Sequence, residues 1–377
     1  MDVRLLSKMM AGTAAAILVL CAPRALSAQK DCDWSTFRAD QQQTGYYSCR
    51  VPEQPELQWT HEAGSAVEST AAIVDGTAYV GTDAGEVLAL DLETGDLKWR
   101  HETEAPVRAS PGVKDGLVFV GDLRGMFYAL DASDGSVAWK HETMGKIISS
   151  ANFSGGNVLV GSYDNNLYCF RRGDGELAWE YKTNAPVHCS PCIASGTAII
   201  GGCDGWLRAI DVESGKQVAK FEIGANMGAS PAAVGDAVYL QTFQGRMMRV
   251  NPGEDNAAWS REAEDTGPVY SGSPAVHDGR VVFGGGDGTV RVLDAGDGGE
   301  RWTFRSGDEV DSSPVIAGGR AWVGSGDGKL YALDLGTGDV DWQFPAGAGI
   351  TASPAFANGR MVVGSTDGAI YCFGGSN

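Results

Sequence analysis

From about residue 52 onward, short runs of alternating apolar and polar residues are cut every ten residues or so by glycine-marked turns. Residues 107–141 show the pattern most fully. Val107 to Val113 reads as a strand, followed by the turn Lys114-Asp115-Gly116 and a second strand from Leu117 to Gly121. The turn Leu123-Arg124-Gly125 leads to a third strand, Met126 to Leu130. Ser133-Asp134-Gly135 then leads to a fourth, Ser136 to His141. Period-two runs separated by Asp-Gly and Ser-Gly are hairpin grammar, because glycine supplies the positive φ of tight turns. No helical periodicity occurs after residue 28, so the chain is all-β.

The pattern repeats. Gly81, Gly121, Gly161, Gly201, Gln241, Gly284, Gly324 and Gly364 occupy one anchor position, with steps of 40, 40, 40, 40, 43, 40 and 40 residues. Eighteen residues past each of the first seven anchors lies a tryptophan slot, filled by Trp99, Trp139, Trp179, Ala219, Trp259, Trp302 and Trp342. A four-strand repeat of this period predicts an eight-bladed β-propeller of four-stranded antiparallel blades. The last repeat ends after two strands, at Tyr371-Cys372-Phe373, and lacks a tryptophan. Glu56-Leu57-Gln58-Trp59 reads as an orphan fourth strand, with Trp59 placed 40 residues before Trp99. The N-terminal strand is therefore expected to complete the last blade and leave no open edge. Ala219 breaks the tryptophan series with Phe221 nearby, so blade four is expected to pack differently.

The run Tyr79-Val-Gly-Thr-Asp-Ala-Gly-Glu-Val-Leu-Ala-Leu-Asp91, with Thr94-Gly95 and Trp99, resembles the pyrroloquinoline-quinone (PQQ)-type propeller repeat. Trp322 to Asp334, with Thr337-Gly338 and Trp342, is similar. Trp34-Ser-Thr-Phe-Arg-Ala-Asp40 with Thr44-Gly45 resembles the lead-in of exported members. The resemblance covers residues 34 to 374 and in size is nearest to BamB-type exported scaffolds. It implies tryptophans docked between blades, and either a non-catalytic assembly scaffold or a PQQ-dependent dehydrogenase for alcohols or sugars. The quinone enzymes typically use a vicinal cysteine pair, a stacking tryptophan, a calcium site of Glu and Asn, and an Asp base. This chain has no Cys-Cys dipeptide and none of their long insertions, so no catalytic residue is assigned. PQQ with calcium remains the alternative to a protein without cofactor.

Charge and termini narrow the class. Residues 1–28 read as a secretory signal, with Arg4 and Lys8 before the apolar run Ala11 to Leu20 and small residues ending at Ala28. Residues 29–51 form a lead-in, and 52–377 the propeller. A periplasmic or secreted protein is expected, and Leu20 argues against lipid anchoring at Cys21. The formal net charge is −19. Subtracting the net +2 of residues 1–28 leaves a mature chain near −21. Such a surface repels nucleic acid and anionic lipid. Membrane association would run only through partners, and a monomer is expected.

Export permits disulfides. Cys32 and Cys49 flank the lead-in and form a plausible pair. Cys189 opens the inner strand of blade four and Cys203 follows the second strand of that hairpin. A Cys189–Cys203 bridge is favoured there over free buried thiols and over metal or redox chemistry. Cys169 and Cys372 read as small buried residues. The Asp-Gly turns at Asp204, Asp287, Asp327 and Asp367 each offer one carboxylate, too few for calcium, so no metal site is assigned. His61, His101 and His141 fall on different blades.

Structural positions stay alike between blades, so function should show where equivalent positions differ. Glu68, Arg108, Ile148, His188, Gly228, Ser271, Asp311 and Thr351 open the inner strands and are expected to ring one channel mouth. Glu68, Arg108, His188 and Asp311 would be its polar binding groups. On the same face, blades two to five carry Leu123, Met126, Tyr163, Trp206 and Phe243, where blades six to eight carry small or polar residues. The expectation is an apolar half-face that takes a protein, peptide or small ligand. The alternatives are a solvated rim and side chains that cap their own hairpins. A ligand-sensing propeller remains a third reading.

Overall fold

Thirty-two of the 33 described strands are laid down by the same small grammar of alternation and turn, and the result is a ring. The computed structural model describes residues 32–262 and 272–375. These residues form eight antiparallel sheets, each the blade that one repeat predicts. Blade one, for example, is Ala72–Val74, Thr77–Gly81, Glu86–Asp91 and Leu97–Glu102. Blade eight is Ala355–Ala357, Arg360–Gly364 and Ala369–Gly374, completed on its outer side by Glu56–Glu62. The closing strand runs antiparallel to Ala369–Gly374, with Thr60 opposite Tyr371, as Trp59 implied.

Two interlocks join the blades. The anchor glycine lies where the next blade's first apolar residue packs. A Cβ on Gly81 would sit 2.3 Å from the Val107 side chain, and one on Gly121 would sit 2.1 Å from Ile147. The tryptophan forms the second. Trp99 Nε1 donates to the Ala132 carbonyl at 2.9 Å, with its ring against Gly135 of the next blade. Trp59, Trp139, Trp179, Trp259 and Trp302 repeat this contact. Where the chain ends interrupt blade eight, Trp342 donates to the Pro55 carbonyl instead, at 3.1 Å.

The inner strands are shorter than expected. In blade two only Gly112–Lys114 pairs as strand, not residues 107–113. The reason lies on the axis. Thr70, Ser110, Ser150, Ser190, Ser230, Ser273, Ser313 and Ser353 form a closed belt. Each backbone N–H donates to the hydroxyl of the next member, at 2.8–3.3 Å. The Ser-Pro steps do line the channel, but their hydroxyls link blade to blade where a ladder would otherwise link strand to strand.

The lead-in is part of the ring rather than an appendage. Carbonyls of Trp34, Ser35, Gln41, Gln42, Thr44 and Gly45 accept the N–H groups of Ile73, Val113, Ile193, Ala233, Val276 and Ile316. One segment thus satisfies inner-strand donors from six blades, which buried backbone requires. Tyr46–Tyr47 also adds a parallel strand to blade seven. Arg38 is wholly buried, and its Nη2 donates to the carbonyls of Pro274 and Pro314. Burial lowers its pKa to about 9. Cys32 and Cys49 are disulfide-bonded, with Cα atoms 5.9 Å apart. The signal segment, Cys21 and Ser271 lie outside the described residues.

Candidate functional site

Because the lead-in occupies one end of the channel, the other end is a blind cup. Its volume is about 110 Å³, with Phe37 of the lead-in among its lining residues. The hydroxyl belt forms one tier of the wall, and Glu68, Arg108, Ile148, His188, Gly228, Asp311 and Thr351 form the tier at the mouth. The structure therefore brings Glu68, Arg108, His188 and Asp311 to one cavity.

Their charges are not independent. Arg108 makes a two-pronged contact with Asp83, at 3.0 and 2.8 Å, and lies 3.4 Å from Glu68. Partial burial raises the Glu68 pKa, with Arg108 opposing the shift. The Asp83 carboxylate holds the Arg108 guanidinium in its charged form and raises its pKa. Asp83 sits on the turn after the second strand, a position that comparison of inner-strand openings alone could not bring into the rim.

His188 joins the rim to the apolar set. Its Nδ1 is hydrogen-bonded to the Tyr163 hydroxyl. Its ring lies 5.5 Å from the Tyr163 ring and 6.3 Å, edge-on, from Phe243. Burial, with the nearby Lys146 ammonium, lowers the His188 pKa to about 4, so the imidazole is neutral at physiological pH. Lys146 Nζ in turn lies 4.3 Å from the centre of the Tyr163 ring.

The apolar half-face is less exposed than its composition implies. Leu123, Met126, Tyr163, Trp206 and Phe243 are each half-buried. Met126 packs on the core shared by blades one and two, and Lys220 Nζ lies 4.3 Å from the Trp206 ring. These side chains both cap their hairpins and show one edge to solvent. Among the described residues the most exposed large apolar side chain is that of Met144, which the sequence did not single out: it is 92% exposed, between blades two and three. Its backbone N–H donates to Asp164, beside Tyr163. Its counterparts Gly64, Glu104, Asn184, Gly224, Gly307 and Gly347 are all small or polar, so the same comparison of equivalent positions could have found it.

The favoured Cys189–Cys203 bridge is not formed, and both thiols are free. Cys189 occupies the place of Ser69 and Ser149, whose hydroxyls bond their own anchor glycines. Its Sγ does the same, donating to the Gly201 carbonyl at 2.8 Å and accepting from the Gly201 N–H at 3.1 Å. That contact commits Sγ to the Gly201 backbone rather than to a bridge. Cys192 Sγ points instead to the Gln42 carbonyl of the lead-in. Burial pushes the Cys189 thiol up to about 12, which leaves it unreactive. The Asp-Gly carboxylates cap their own turns. Asp204, Asp287, Asp327 and Asp367 accept from the N–H groups of Trp206, Thr289, Lys329 and Ala369. His61 and His101 are spent on contacts within the blade wall, with the Gly95 carbonyl and the Tyr128 ring.

Comparison with known proteins agrees with this architecture. A search of curated proteins finds no sequence match. The fold is similar to that of BamB from Moraxella catarrhalis, with a TM-score of 0.72 and 19% identity over 85% of this chain and 97% of that one. It is similar also to a quinohemoprotein alcohol dehydrogenase from Comamonas testosteroni, with a TM-score of 0.77 and 16% identity over 92% of this chain and 81% of that one. The computationally designed Ika8 protein matches with a TM-score of 0.74 and 19% identity, over 83% of this chain and 97% of that one. At such identities the likeness speaks for the fold alone. The sequence itself matches the family model of the outer membrane protein assembly factor BamB over residues 51–151, 143–283 and 250–376. With eight PQQ-type blades, a closing N-terminal strand and a match that runs nearly from the lead-in to the end, the chain belongs to that family.

Proposed function

We propose that this protein is an exported, non-catalytic scaffold that captures a segment of a partner protein on the open face of its ring, over the cup and blades two to five. The observation that carries the reading is His188, which links the polar rim to Tyr163 and Phe243 and makes one surface of two candidate sets. Exposed Met144 extends that surface with an adaptable apolar side chain. The Cys32–Cys49 disulfide suits an oxidising compartment, and the family's namesake is an outer membrane assembly factor. The acidic surface favours basic partners over nucleic acid, and the sealed ring suits a monomer whose membrane contact runs through its partners.

The competing reading is a quinone-dependent dehydrogenase. A cup of about 110 Å³ is small for three fused rings bearing carboxylates. At its mouth Glu68 and Asp311 would repel those carboxylates, and Arg108 is already held by Asp83. The donor set thus does not fit the quinone, and no step is derived through it.

Photo-crosslinking residues placed at Met144 and Tyr163 on the open face, and at Asp278 on the plugged face, test the proposal in cell-envelope extracts. Adducts are expected from the first two positions only. Adducts from Asp278 alone, or a rise in melting temperature with PQQ and calcium accompanied by dye-linked alcohol oxidation, would overturn it.

A further inference from the structure

One blade junction lacks its tryptophan lock. At six other junctions an indole sits on a glycine of the next blade and donates to a backbone carbonyl, at 2.9–3.1 Å. Between blades four and five both halves of the lock are changed. Ala219 stands where the indole belongs, and Asp255 stands at the position of Gly95 and Gly135. The glycine of that turn has moved to Gly253, where a Cβ would lie 3.7 Å from that of Ala219. The counterpart carbonyl is that of Pro252, and no indole reaches it. The junction packs differently, as Ala219 implied, and Phe221 is buried in the core with Met227 and Met248.

The vacated place is a cavity of about 410 Å³. Ile199, Ala209, Val218, Ala219 and Val238 give it apolar walls. Asp236 and Glu254 put two exposed carboxylates at its edge, and buried Asn251 Oδ1 has no hydrogen-bond partner among the described residues. An apolar cavity of about 150 Å³ already suffices for benzene. The walls fit a planar aromatic ring, as the homologous places in this molecule do. Asn251 Nδ2 is spent on Glu254, to which it donates at 2.9 Å, and the Thr197 hydroxyl on the Ala194 carbonyl, so the charge at the edge is that of the two carboxylates and calls for a donor carrying positive charge.

We propose that the junction of blades four and five is a binding site for a small cationic arylalkylamine, with the ring in the empty indole place and the ammonium toward Asp236 and Glu254. The site lies by the turns of the plugged face, so it is independent of partner capture on the open face.

Calorimetric titration of the full chain with tryptamine tests it, with indole-3-acetate as the same ring carrying the opposite charge. Tryptamine is expected to bind, and indole-3-acetate to bind roughly fivefold more weakly or worse, given two partly solvated carboxylates. Ala219→Trp should abolish binding by filling the place. Ala219→Leu provides a second occluding variant should the rebuilt turn reject an indole. Asp236→Asn with Glu254→Gln, both at exposed positions, should remove the preference for the amine while the fold is kept. Absence of tryptamine binding, equal binding of the two ligands, or unchanged binding in a folded Ala219 variant would overturn the proposal.

Discussion

The closing strand hydrogen-bonds the N-terminal segment along the full outer edge of the last blade, and Trp59→Ala tests how much the ring depends on it. The Trp59 side chain is 9% exposed, its ring lies against Gly95, and its Nε1 donates to the Leu92 carbonyl at 3.0 Å. Burial of roughly 150–250 Å² at about 25 cal/mol per Å² corresponds to about 4–6 kcal/mol. Measured Trp→Ala losses of about 3–5 kcal/mol suggest an expected cost of about 4 kcal/mol. Trp99→Ala is the internal control, because Trp99 is 8% exposed and makes the same contact one blade on. Both variants should melt several degrees lower, by similar amounts. They should differ in where the ring opens. In Trp59→Ala, amides of residues 56–62 and 369–374, which pair with each other, should exchange with solvent about a thousandfold faster. In Trp99→Ala that ladder should keep its protection. Equal protection of the ladder in the two variants would refute the claim that the closing strand is the ring's seam. Removing residues 52–64 altogether should prevent folding.

Two further predictions follow from buried polar groups. His188 has a folded pKa of about 4 against an unfolded value of about 6.5, so the folded state binds fewer protons between them. Its contribution is complete above pH 6.5 and is lost as pH falls toward 4. Between pH 7 and 5 the loss is about 2 kcal/mol. Denaturant melts of wild type and His188→Gln should show that slope flattened in the variant, and an unchanged slope would refute the assignment. Ser190→Ala orphans the Ser150 N–H, which donates to it at 2.8 Å, and should cost about 1–3 kcal/mol. Ser190→Thr should restore most of that in thermal melts, because Thr70 is already a natural member of the belt.

The parts of the fold that were legible in the sequence are those the chain states several times. Trp59 could be assigned to the last blade because seven later slots fixed where such a residue must lie. The rim was legible for the same reason: Glu68, Arg108, His188 and Asp311 share one position and meet at one cup. The lead-in is stated once, so nothing announced that Trp34 to Gly45 would furnish a carbonyl to blade after blade. Cys189 misled because spacing places two thiols on neighbouring strands but does not say which way each turns. The anchor-glycine contact made by Ser69 and Ser149 had already claimed its Sγ. Exposure of the apolar half-face was misjudged because Lys146 and Lys220, from neighbouring segments, lie over Tyr163 and Trp206.

Departures from the repeat are therefore not all of one kind. On the open face a single residue can change alone: Met144 replaces a glycine or polar counterpart and disturbs no packing, since its side chain meets solvent. At a blade junction an isolated change would be costly, because loss of an indole strips about 3–5 kcal/mol from the contact. The change from tryptophan to Ala219 comes with a second across the junction, where Asp255 stands at the glycine position and the turn glycine shifts to Gly253. A glycine wall is needed only where an indole must approach the backbone, and without the indole its place is released to other residues. The matched pair therefore marks a rebuilt socket rather than a damaged one, with apolar walls and two carboxylates at its edge. Function in a ring of near-identical blades can thus be sought in two ways: by what one blade adds to the face, and by what two adjoining blades have together left out.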